Sequence, residues 1–109
     1  VLVCGGRTFD DRKLLYRTLD GIDNITCIIE GDAKGADRLA GGYAINKNLD
    51  VDVYQAKWDL YGKSAGYKRN MQMLVEGKPD LVVAFPGGRG TAMMVRIAKE
   101  ADVDVMEVT

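Results

Sequence analysis

The sequence predicts an α/β protein with a three-layer architecture, in which four helices cover a five-stranded parallel sheet of order 3-2-1-4-5. Two observations predict this class. Short apolar runs alternate along the chain with segments of helical periodicity, as they do where crossover helices join parallel strands. Three of the strand segments are apolar throughout, as interior strands are, whereas two contain acidic residues, as edge strands do.

The predicted strands, in order, cover residues 1–4, 26–29, 51–54, 81–84 and 103–108. Asp52 interrupts the third strand, and Asp104 and Glu107 interrupt the fifth, which places both at the edges of the sheet. Each helix is identified by apolar residues at helical spacing. These residues are Leu14, Leu15, Leu19 and Ile22 in the first helix, Ala36, Leu39, Ala40, Tyr43 and Ala44 in the second, Tyr67, Met71, Leu74 and Val75 in the third, and Met94, Ile97, Ala98 and Ala101 in the fourth.

The composition predicts a single domain over residues 1–109, because 47% hydrophobic content gives a chain of 109 residues a core of its own. The net charge of −1 offers no overall attraction to nucleic acid or to a membrane surface, so we expect neither as a partner. No apolar run approaches the roughly 20 residues that span a bilayer, and the apolar start lacks the basic residues of a signal peptide. We therefore expect a cytoplasmic protein.

Several kinds of chemistry are excluded by the residues that the sequence lacks. It contains no histidine, which excludes Ser-His and Cys-His catalysis and histidine-ligated zinc. Cys4 and Cys27 lie in predicted strands and are expected to be reduced core thiols. Gly5-Gly6 lacks the third glycine and the acidic residue of a dinucleotide fingerprint, and no Gly-Lys-Ser/Thr phosphate loop is present. We expect neither a metal nor a cofactor, and we disfavour an NAD-dependent dehydrogenase and an NTPase.

A glycine-rich turn at residues 85–91 joins the fourth strand to the last helix. Gly87, Gly88 and Gly90 leave the peptide N–H groups accessible, and the helix start adds unpaired N–H groups and the positive end of its dipole. The turn therefore predicts an anion site, for phosphate above all. The alternative is a tight turn that needs only a positive φ, for which one glycine suffices.

The predicted strand order makes the first and fourth strands neighbours whose helices leave to opposite faces, and open α/β sheets bind ligands at such a switch point. Segments 5–9, 31–37, 57–70 and 87–91 end at this crevice. The predicted ligand-binding residues are Gly5, Gly6, Arg7, Thr8, Phe9, Gly31, Asp32, Asp37, Trp58, Arg69, Asn70, Pro86, Gly87, Gly88, Gly90 and Thr91. Asp37 and Arg69 are also the candidates for catalysis.

The side chains in this set suggest individual roles. Arg7 could bind a phosphate through two hydrogen bonds, and Thr8 and Thr91 could donate hydroxyl groups. Phe9, Trp58 or Tyr61 could stack on a base. Each assignment has an alternative, because Phe9 and Trp58 taken singly fit core packing or the crevice wall, and Arg7 fits a solvated surface charge.

Asp32 and Asp37 are the carboxylates nearest the crevice, where they could bind ribose hydroxyls or act as a base. Asp37 falls in the first turn of a helix, where acids are favoured structurally, so a structural and a catalytic role both stay open for it. A structural role is favoured for Asp32. Arg69 and Asn70 are adjacent and cannot point the same way, so one could reach the ligand while the other braces a loop.

Motifs along the whole chain, taken together, resemble the YspA-type, cpYpsA-related branch of the SLOG superfamily. The motifs are Gly5-Gly6-Arg7-Thr8-Phe9-Asp10, Gly31-Asp32-Ala33-Lys34-Gly35-Ala36-Asp37, Ala56-Lys57-Trp58, Gly62-Lys63-Ser64-Ala65-Gly66 with Arg69-Asn70-Met71, and Phe85-Pro86-Gly87-Gly88-Arg89-Gly90-Thr91. The resemblance implies a Rossmann-like fold, a nucleotide-derived ligand such as an ADP-ribose-type signal, a setting in bacterial or phage conflict, and a homo-oligomer.

The superfamily includes Lonely-guy phosphoribohydrolases, and this chain departs from them. Those enzymes pair an arginine, followed by a basic residue, with a glutamate three positions after a glycine-threonine pair. Arg69 occupies the arginine's place, but Asn70 follows it, and the glutamate's place is Met94. Further departures from the YspA branch are Gln55, where a proline is common, and Met93, where an acidic or amide residue is common; both indicate an altered pocket rim.

Because methionine can neither stabilise an oxocarbenium ion nor move a proton, the expected function is binding of a phosphorylated nucleotide derivative by a sensor or a sequestering module. The phosphate is expected on the turn at 87–91, and the ribose and base against the segments around Gly5 and Gly31. The alternative is hydrolysis of an N-glycosidic bond, with Asp37 or Asp32 in place of the glutamate. Contact with single-stranded nucleic acid, by analogy with the superfamily's DNA-processing protein, is disfavoured by the net charge.

Overall fold

Five parallel strands form one sheet of order β3-β2-β1-β4-β5 in the computed structural model, which describes residues 1–109. The strands are β1 (Leu2–Cys4), β2 (Cys27–Glu30), β3 (Asp50–Val53), β4 (Leu81–Ala84) and β5 (Asp104–Glu107). The helices are α1 (Arg12–Asp20), α2 (Ala36–Asn46), α3 (Trp58–Tyr61), α4 (Ala65–Gly77) and α5 (Arg89–Glu100), with a 3₁₀ turn at Gly62–Ser64. The predicted fold class, strand order and four long helices are confirmed. The single-turn helix α3 was not predicted, because its four residues are too few to show a periodicity.

Burial of the strands follows their position in the sheet. All three residues of β1 are buried, and in β2 and β4 only the first residue is partly exposed. In β3 and β5 no residue is buried, and three of the four in each strand are exposed. The acidic residues that interrupt the two edge strands therefore remain in water, where their charge costs little.

Two hydrophobic layers lie on opposite faces of the sheet, because successive strand residues point to opposite sides. Val3, Ile28 and Val83 face helices α1 and α2, whereas Leu2 and Val82 face helices α4 and α5. The chain thus leaves β1 toward one face and leaves β4 toward the other. This is the arrangement of a topological switch point.

The ends of β1 and β4 lie level with each other. The register pairs Leu2 with Val82 and Cys4 with Ala84, so the residues that follow the two strands emerge side by side. Phe85 extends the pairing by donating its N–H group to the carbonyl oxygen of Cys4 at 2.9 Å. None of the helices is both long and apolar enough to cross a bilayer.

Candidate ligand-binding site

The two glycine turns at the switch point are in direct contact. The N–H group of Gly6 donates to the carbonyl oxygen of Pro86 at 2.9 Å. A Cβ atom on Gly6 would lie 3.0 Å from the Cα atom of Gly87, and one on Gly87 would lie 2.6 Å from the nitrogen of Gly6 and 2.3 Å from Oγ1 of Thr91. Both positions require glycine because two backbones approach each other here.

The loop between β2 and α2 packs on the same turn. Gly35 has a φ of 84°, and a Cβ atom there would lie 2.2 Å from the carbonyl oxygen of Gly6. The N–H group of Ala36 donates to that same oxygen at 3.3 Å. Three loops therefore meet at the carboxyl edge of the sheet, as the strand order predicts.

A cavity of about 680 Å³ opens at this junction, and we call it the main cavity. The residues of the predicted set that line it are Gly5, Gly6, Arg7, Asp37, Trp58, Arg69, Asn70, Gly88, Gly90 and Thr91. The lining residues that the prediction did not include are Cys4, Ala33, Lys63, Gly66, Tyr67, Met73, Arg89 and Met93. Its walls thus come from the loops after β1, β2 and β4 and from the segment that begins α4.

The remaining predicted residues lie beside the main cavity. Gly31 and Asp32 line an adjoining cavity of about 490 Å³, which we call the side cavity. A third depression, which shares Gly6, Arg7 and Gly88 with the main cavity, is lined in part by the four predicted residues that remain: Thr8, Phe9, Pro86 and Gly87. The ring of Phe9 packs against that of Phe85, with centroids 5.1 Å apart, so Phe9 has the core-packing role rather than a place in the main cavity.

The start of α5 presents free N–H groups to the main cavity. Gly88 caps the helix without a side-chain hydrogen bond, and the N–H groups of Arg89, Gly90 and Thr91 have no acceptor within the chain. A Cβ atom on Gly88 or on Gly90 would meet nothing within 4 Å. The space in front of these donors is therefore open, and the helix dipole makes it favourable for an anion.

Cations outnumber carboxylates around the main cavity. Arg7, Lys63, Arg69 and Arg89 line it, against the single carboxylate of Asp37. None of the four cations forms a salt bridge, since the ion pairs of the chain involve other residues. A chain with a net charge of −1 thus has a locally positive cavity.

Arg69 and Asn70, which are adjacent in α4, hold two different loops. Arg69 donates from Nη1 to the carbonyl oxygen of Gly31 at 2.6 Å and from Nε to Oδ1 of Asn70 at 2.9 Å. Asn70 is buried and donates from Nδ2 to the carbonyl oxygen of Gly90 at 3.5 Å. Burial lowers the pKa of the Arg69 guanidinium, and the charge of Asp37 opposes that shift. Both side chains brace loops while they also line the cavity.

Asp37 closes the loop between β2 and α2. Its Oδ2 accepts the N–H group of Ala33 at 3.2 Å, and the carboxylate is buried. Burial raises the pKa of this carboxyl group, whereas the N–H groups of Ala33 and Gly31 and the charge of Arg69 lower it. These contacts support the structural role, which was one of two alternatives for this residue.

The environments of Cys4 and Met94 limit the chemistry that is available at the main cavity. Burial raises the pKa of the Cys4 thiol to about 12, so this sulfur stays protonated and unreactive at neutral pH. Met94, at the place of the hydrolases' glutamate, is 0% exposed in the core and does not line the cavity, whereas Met93 does.

Trp58 stands between the main and side cavities. The residue is 48% exposed, and the Cζ atom of Arg7 lies 5.9 Å from the centroid of its ring. A Cβ atom on Gly66 would lie 3.4 Å from the same ring. Trp58 thus forms part of the wall of both cavities, and its role in stacking on a base stays a prediction.

Some lining residues could have been found from the sequence and others could not. One face of the segment that leads into α4 could have been predicted, because its residues recur at helical spacing and Asn70 belongs to the predicted set. These residues are Lys63, Gly66 or Tyr67, and Asn70. Arg89 lies inside the glycine turn itself. Met73 continues this helical spacing, and Ala33 lies in the segment 31–37 that was predicted to end at the crevice, but neither side chain carries a polar group that would have marked it as a site residue.

The fold and its switch point define the class of Rossmann-like α/β domains, and comparisons with known proteins give the family. The family described as YspA, cpYpsA-related SLOG (YAcAr) matches residues 1–61. Gene 61 protein of Mycobacterium phage D29 is 32% identical over 117 residues, covering 97% of this chain and 93% of that protein. No solved structure matches. The chain therefore belongs to the YspA, cpYpsA-related SLOG family, and membership indicates nucleotide-related ligand binding.

Proposed function

We propose that the protein binds a phosphorylated, nucleotide-derived small molecule in the main cavity and acts as a sensor or a sequestering module. The single observation that supports this most strongly is the open start of α5, where three N–H groups without acceptors face a cation-lined cavity. A negatively charged group satisfies these donors and the helix dipole together. Phosphate is the anion that nucleotide-type ligands supply.

The phosphate sits in front of Gly88 and Gly90, where no side chain competes for the space. Arg7, Lys63 and Arg89 surround it without carboxylate partners of their own. Arginine binds phosphate through two parallel hydrogen bonds, which adds orientation to the attraction.

The ribose and base extend from the phosphate toward the loops after β1 and β2. The cavity volume of about 680 Å³ lies within the range of small-molecule sites, which is roughly 300–1,000 Å³. Trp58 offers a half-exposed ring for stacking, and Arg7 already lies over that ring at 5.9 Å. A base on Trp58 would have an aromatic surface on one side and the guanidinium of Arg7 close by.

The role as a sensor or sequestering module in bacterial or phage conflict is supported by the similarity to a protein of a mycobacteriophage. The cytoplasm is the compartment where such a ligand would be met, and a homo-oligomer is the expected assembly. Light scattering on the purified protein at several concentrations tests the assembly, and a monomer at every concentration contradicts it.

Isothermal titration calorimetry tests the binding function. The panel contains AMP, ADP-ribose, cyclic ADP-ribose isomers and cyclic dinucleotides, and we expect at least one of them to bind. If the protein is folded by circular dichroism and none of these compounds binds, the result would count against the proposal.

Hydrolysis of an N-glycosidic bond is the second candidate function. The observation that favours it is the buried Asp37, which lines the main cavity beside Arg69. Against it, the Asp37 carboxylate already accepts backbone N–H groups, and Met94 is buried in the core. Chromatography of nucleoside monophosphates after incubation with the protein distinguishes the two, because a binding protein returns its ligand intact and a hydrolase releases free base.

A further inference from the structure

We propose that residues 57–64 form a lid that becomes ordered over the main cavity when the ligand binds, and that Lys63 is the side chain by which the lid holds the phosphate. This inference rests on the proposed function of the main cavity. The lid consists of Lys57, helix α3 and the 3₁₀ turn that follows it. It contributes Trp58 and Lys63 to the lining of the cavity.

The lid is the longest stretch of the chain in which every residue is exposed. The exposed side chains include two large apolar ones, Leu60 at 66% and Tyr61 at 43%. The chain is fixed on both sides of the lid, because Tyr54 donates its N–H group to the carbonyl oxygen of Glu30 at 2.9 Å and Ala65 is buried. The lid is therefore a segment of defined length that is held at both ends and has no side chain in the core.

The hydrogen bonds of the lid's loop and side-chain groups end within the lid itself. Leu60 and Tyr61 donate their N–H groups to the carbonyl oxygen of Lys57 at 3.0 and 2.9 Å, and the hydroxyl group of Ser64 donates to the carbonyl oxygen of Tyr61 at 3.0 Å. No residue of the lid forms a salt bridge. The other walls differ, because the two glycine turns and the loop between β2 and α2 are bonded to one another. Segments with exposed side chains and few outside bonds open at a low free energy, so the lid is the most mobile wall of the free protein.

Two side chains of the lid have interactions to gain from a ligand. Lys63 lines the main cavity without a carboxylate partner, and a phosphate in front of α5 attracts its ammonium group. Trp58 lies beside Gly66 and the long side chain of Arg7, and a base adds stacking area to its ring. The ligand thus supplies contacts that the fold does not, and these offset the conformational entropy that is lost when the lid is ordered.

Gly62 provides a joint between α3 and the 3₁₀ turn. Its φ of 56° and ψ of −130° lie in a region that other residues rarely adopt. A Cβ atom on Gly62 would meet nothing within 4 Å, so the backbone conformation requires glycine here and close packing does not. Lids move through a few loop residues that absorb the change in backbone angles, and Gly62 is placed to be one of them.

Hydrogen exchange followed by mass spectrometry tests the lid on the full chain. The ligand is the compound of the calorimetric panel that binds most tightly: AMP, ADP-ribose, a cyclic ADP-ribose isomer or a cyclic dinucleotide. In the free protein, we expect the lid amides to exchange roughly a hundredfold faster, or more, than those of the buried residues Leu15 and Leu19 in α1. Saturating ligand should slow the lid amides about tenfold or more. The slowing should include Leu60 and Tyr61, which line neither cavity, whereas a base that stacked on a rigid wall would leave their exchange unchanged.

The variants K63Q and K57Q test the contact with the phosphate. Both remove one positive charge from the lid, but only Lys63 lines the main cavity. K63Q should weaken binding about five- to tenfold and reduce the slowing of the lid amides, and K57Q should change the affinity by less than about twofold.

Three results would overturn this inference while the proposed function stands. The first is lid amides that exchange as slowly as those of α1 in the free protein. The second is a ligand that binds without slowing them, and the third is an equal loss of affinity in K63Q and K57Q. If none of the compounds binds, this inference and the proposed function both fail.

Discussion

The starts of helices α2 and α5 look alike in sequence and differ in use. Both follow a glycine-bearing loop at the same edge of the sheet, and both have a glycine cap, Gly35 or Gly88, that makes no side-chain hydrogen bond. At α2, however, the space is filled, because a Cβ atom on Gly35 would lie 2.2 Å from the carbonyl oxygen of Gly6. At α5, by contrast, a Cβ atom on Gly88 would meet no atom of another part of the chain within 4 Å.

The N–H groups of the two helices differ in the same way. The first N–H group of α2, on Ala36, donates to Gly6, and the carboxylate of Asp37 lies in the first turn. The first N–H groups of α5 have neither an acceptor nor an acid beside them. A glycine cap can therefore serve close packing or ligand access, and what occupies its surroundings decides between the two.

The largest predicted effect is the loss of protein stability on substituting Gly35, at the start of α2. Gly35→Ala should lower the free energy of unfolding by about 3 kcal/mol or more, because alanine would have to adopt a φ of 84° and contact the Gly6 backbone. Gly88→Ala, at the same cap position of α5, should cost below about 1 kcal/mol. Urea unfolding followed by circular dichroism measures both, and equal losses would contradict the distinction between the two starts.

The next effect concerns Glu30, a buried residue at the end of β2, which precedes the loop to α2. Burial raises the pKa of Glu30 from 4.5 to about 7, although the N–H group of Asp32 opposes the shift. Since the folded state then binds a proton more tightly than the unfolded state, ionised Glu30 destabilises the fold. This cost is absent below pH 4.5, grows as pH rises and is complete above pH 7.

Glu30→Gln removes this titration. The stability of the variant relative to the wild type should therefore rise by up to about 3 kcal/mol between pH 4 and pH 8, at roughly 1.4 kcal/mol per unit of pKa shift. Titrating groups that do not interact with Glu30 are common to both proteins and cancel in the difference, whereas the charges of Asp37 and Asp32 contribute to the raised pKa of Glu30 and so form part of the predicted effect. Urea unfolding across this range checks it, and parallel stability profiles would show that Glu30 titrates normally.

The sequence was sufficient for the fold because its apolar and acidic patterns report on burial directly. Asp52 and Asp104 could only lie in edge strands, and the continuous runs at β1, β2 and β4 only inside the sheet. The contact between Gly6 and Gly87 followed from that order, because neighbouring strands bring their turns together.

The lining of the cavity was less accessible to sequence reasoning, because the direction of a long side chain depends on tertiary packing. Phe9 belongs to a motif of the predicted site, but its ring packs against Phe85. Arg38 carries no motif signal, yet it reaches Asp32 from the first turn of α2. Glycine identity alone could not distinguish Gly35 from Gly88, since only the neighbouring atoms show which space is filled.

A smaller effect, on the affinity for AMP, is predicted when a carboxylate is placed at the start of α5. Gly88→Asp should weaken AMP binding about twentyfold or more, because the new side chain accepts the free N–H groups of α5 and repels phosphate. The same cap should raise the free energy of unfolding by about 0.5–1 kcal/mol. Gly88→Asn is the matched control, since it caps without charge and should weaken AMP by only a few fold. Calorimetry and urea unfolding measure the two effects, and loss of both stability and binding would indicate that Gly88 is structural.

The smallest effect compares one glycine in each of the two helices. Gly42 in α2 and Gly90 in α5 both have open space at the Cβ position, so Gly42→Ala and Gly90→Ala should each stabilise the protein by about 0.5–1 kcal/mol through helix propensity. Only Gly90→Ala places a methyl group beside the proposed phosphate position, so it alone should weaken AMP, by about two- to fivefold. Thermal unfolding and calorimetry on both variants measure this pair. If Gly90→Ala binds AMP as tightly as Gly42→Ala does, the phosphate does not rest on the start of α5.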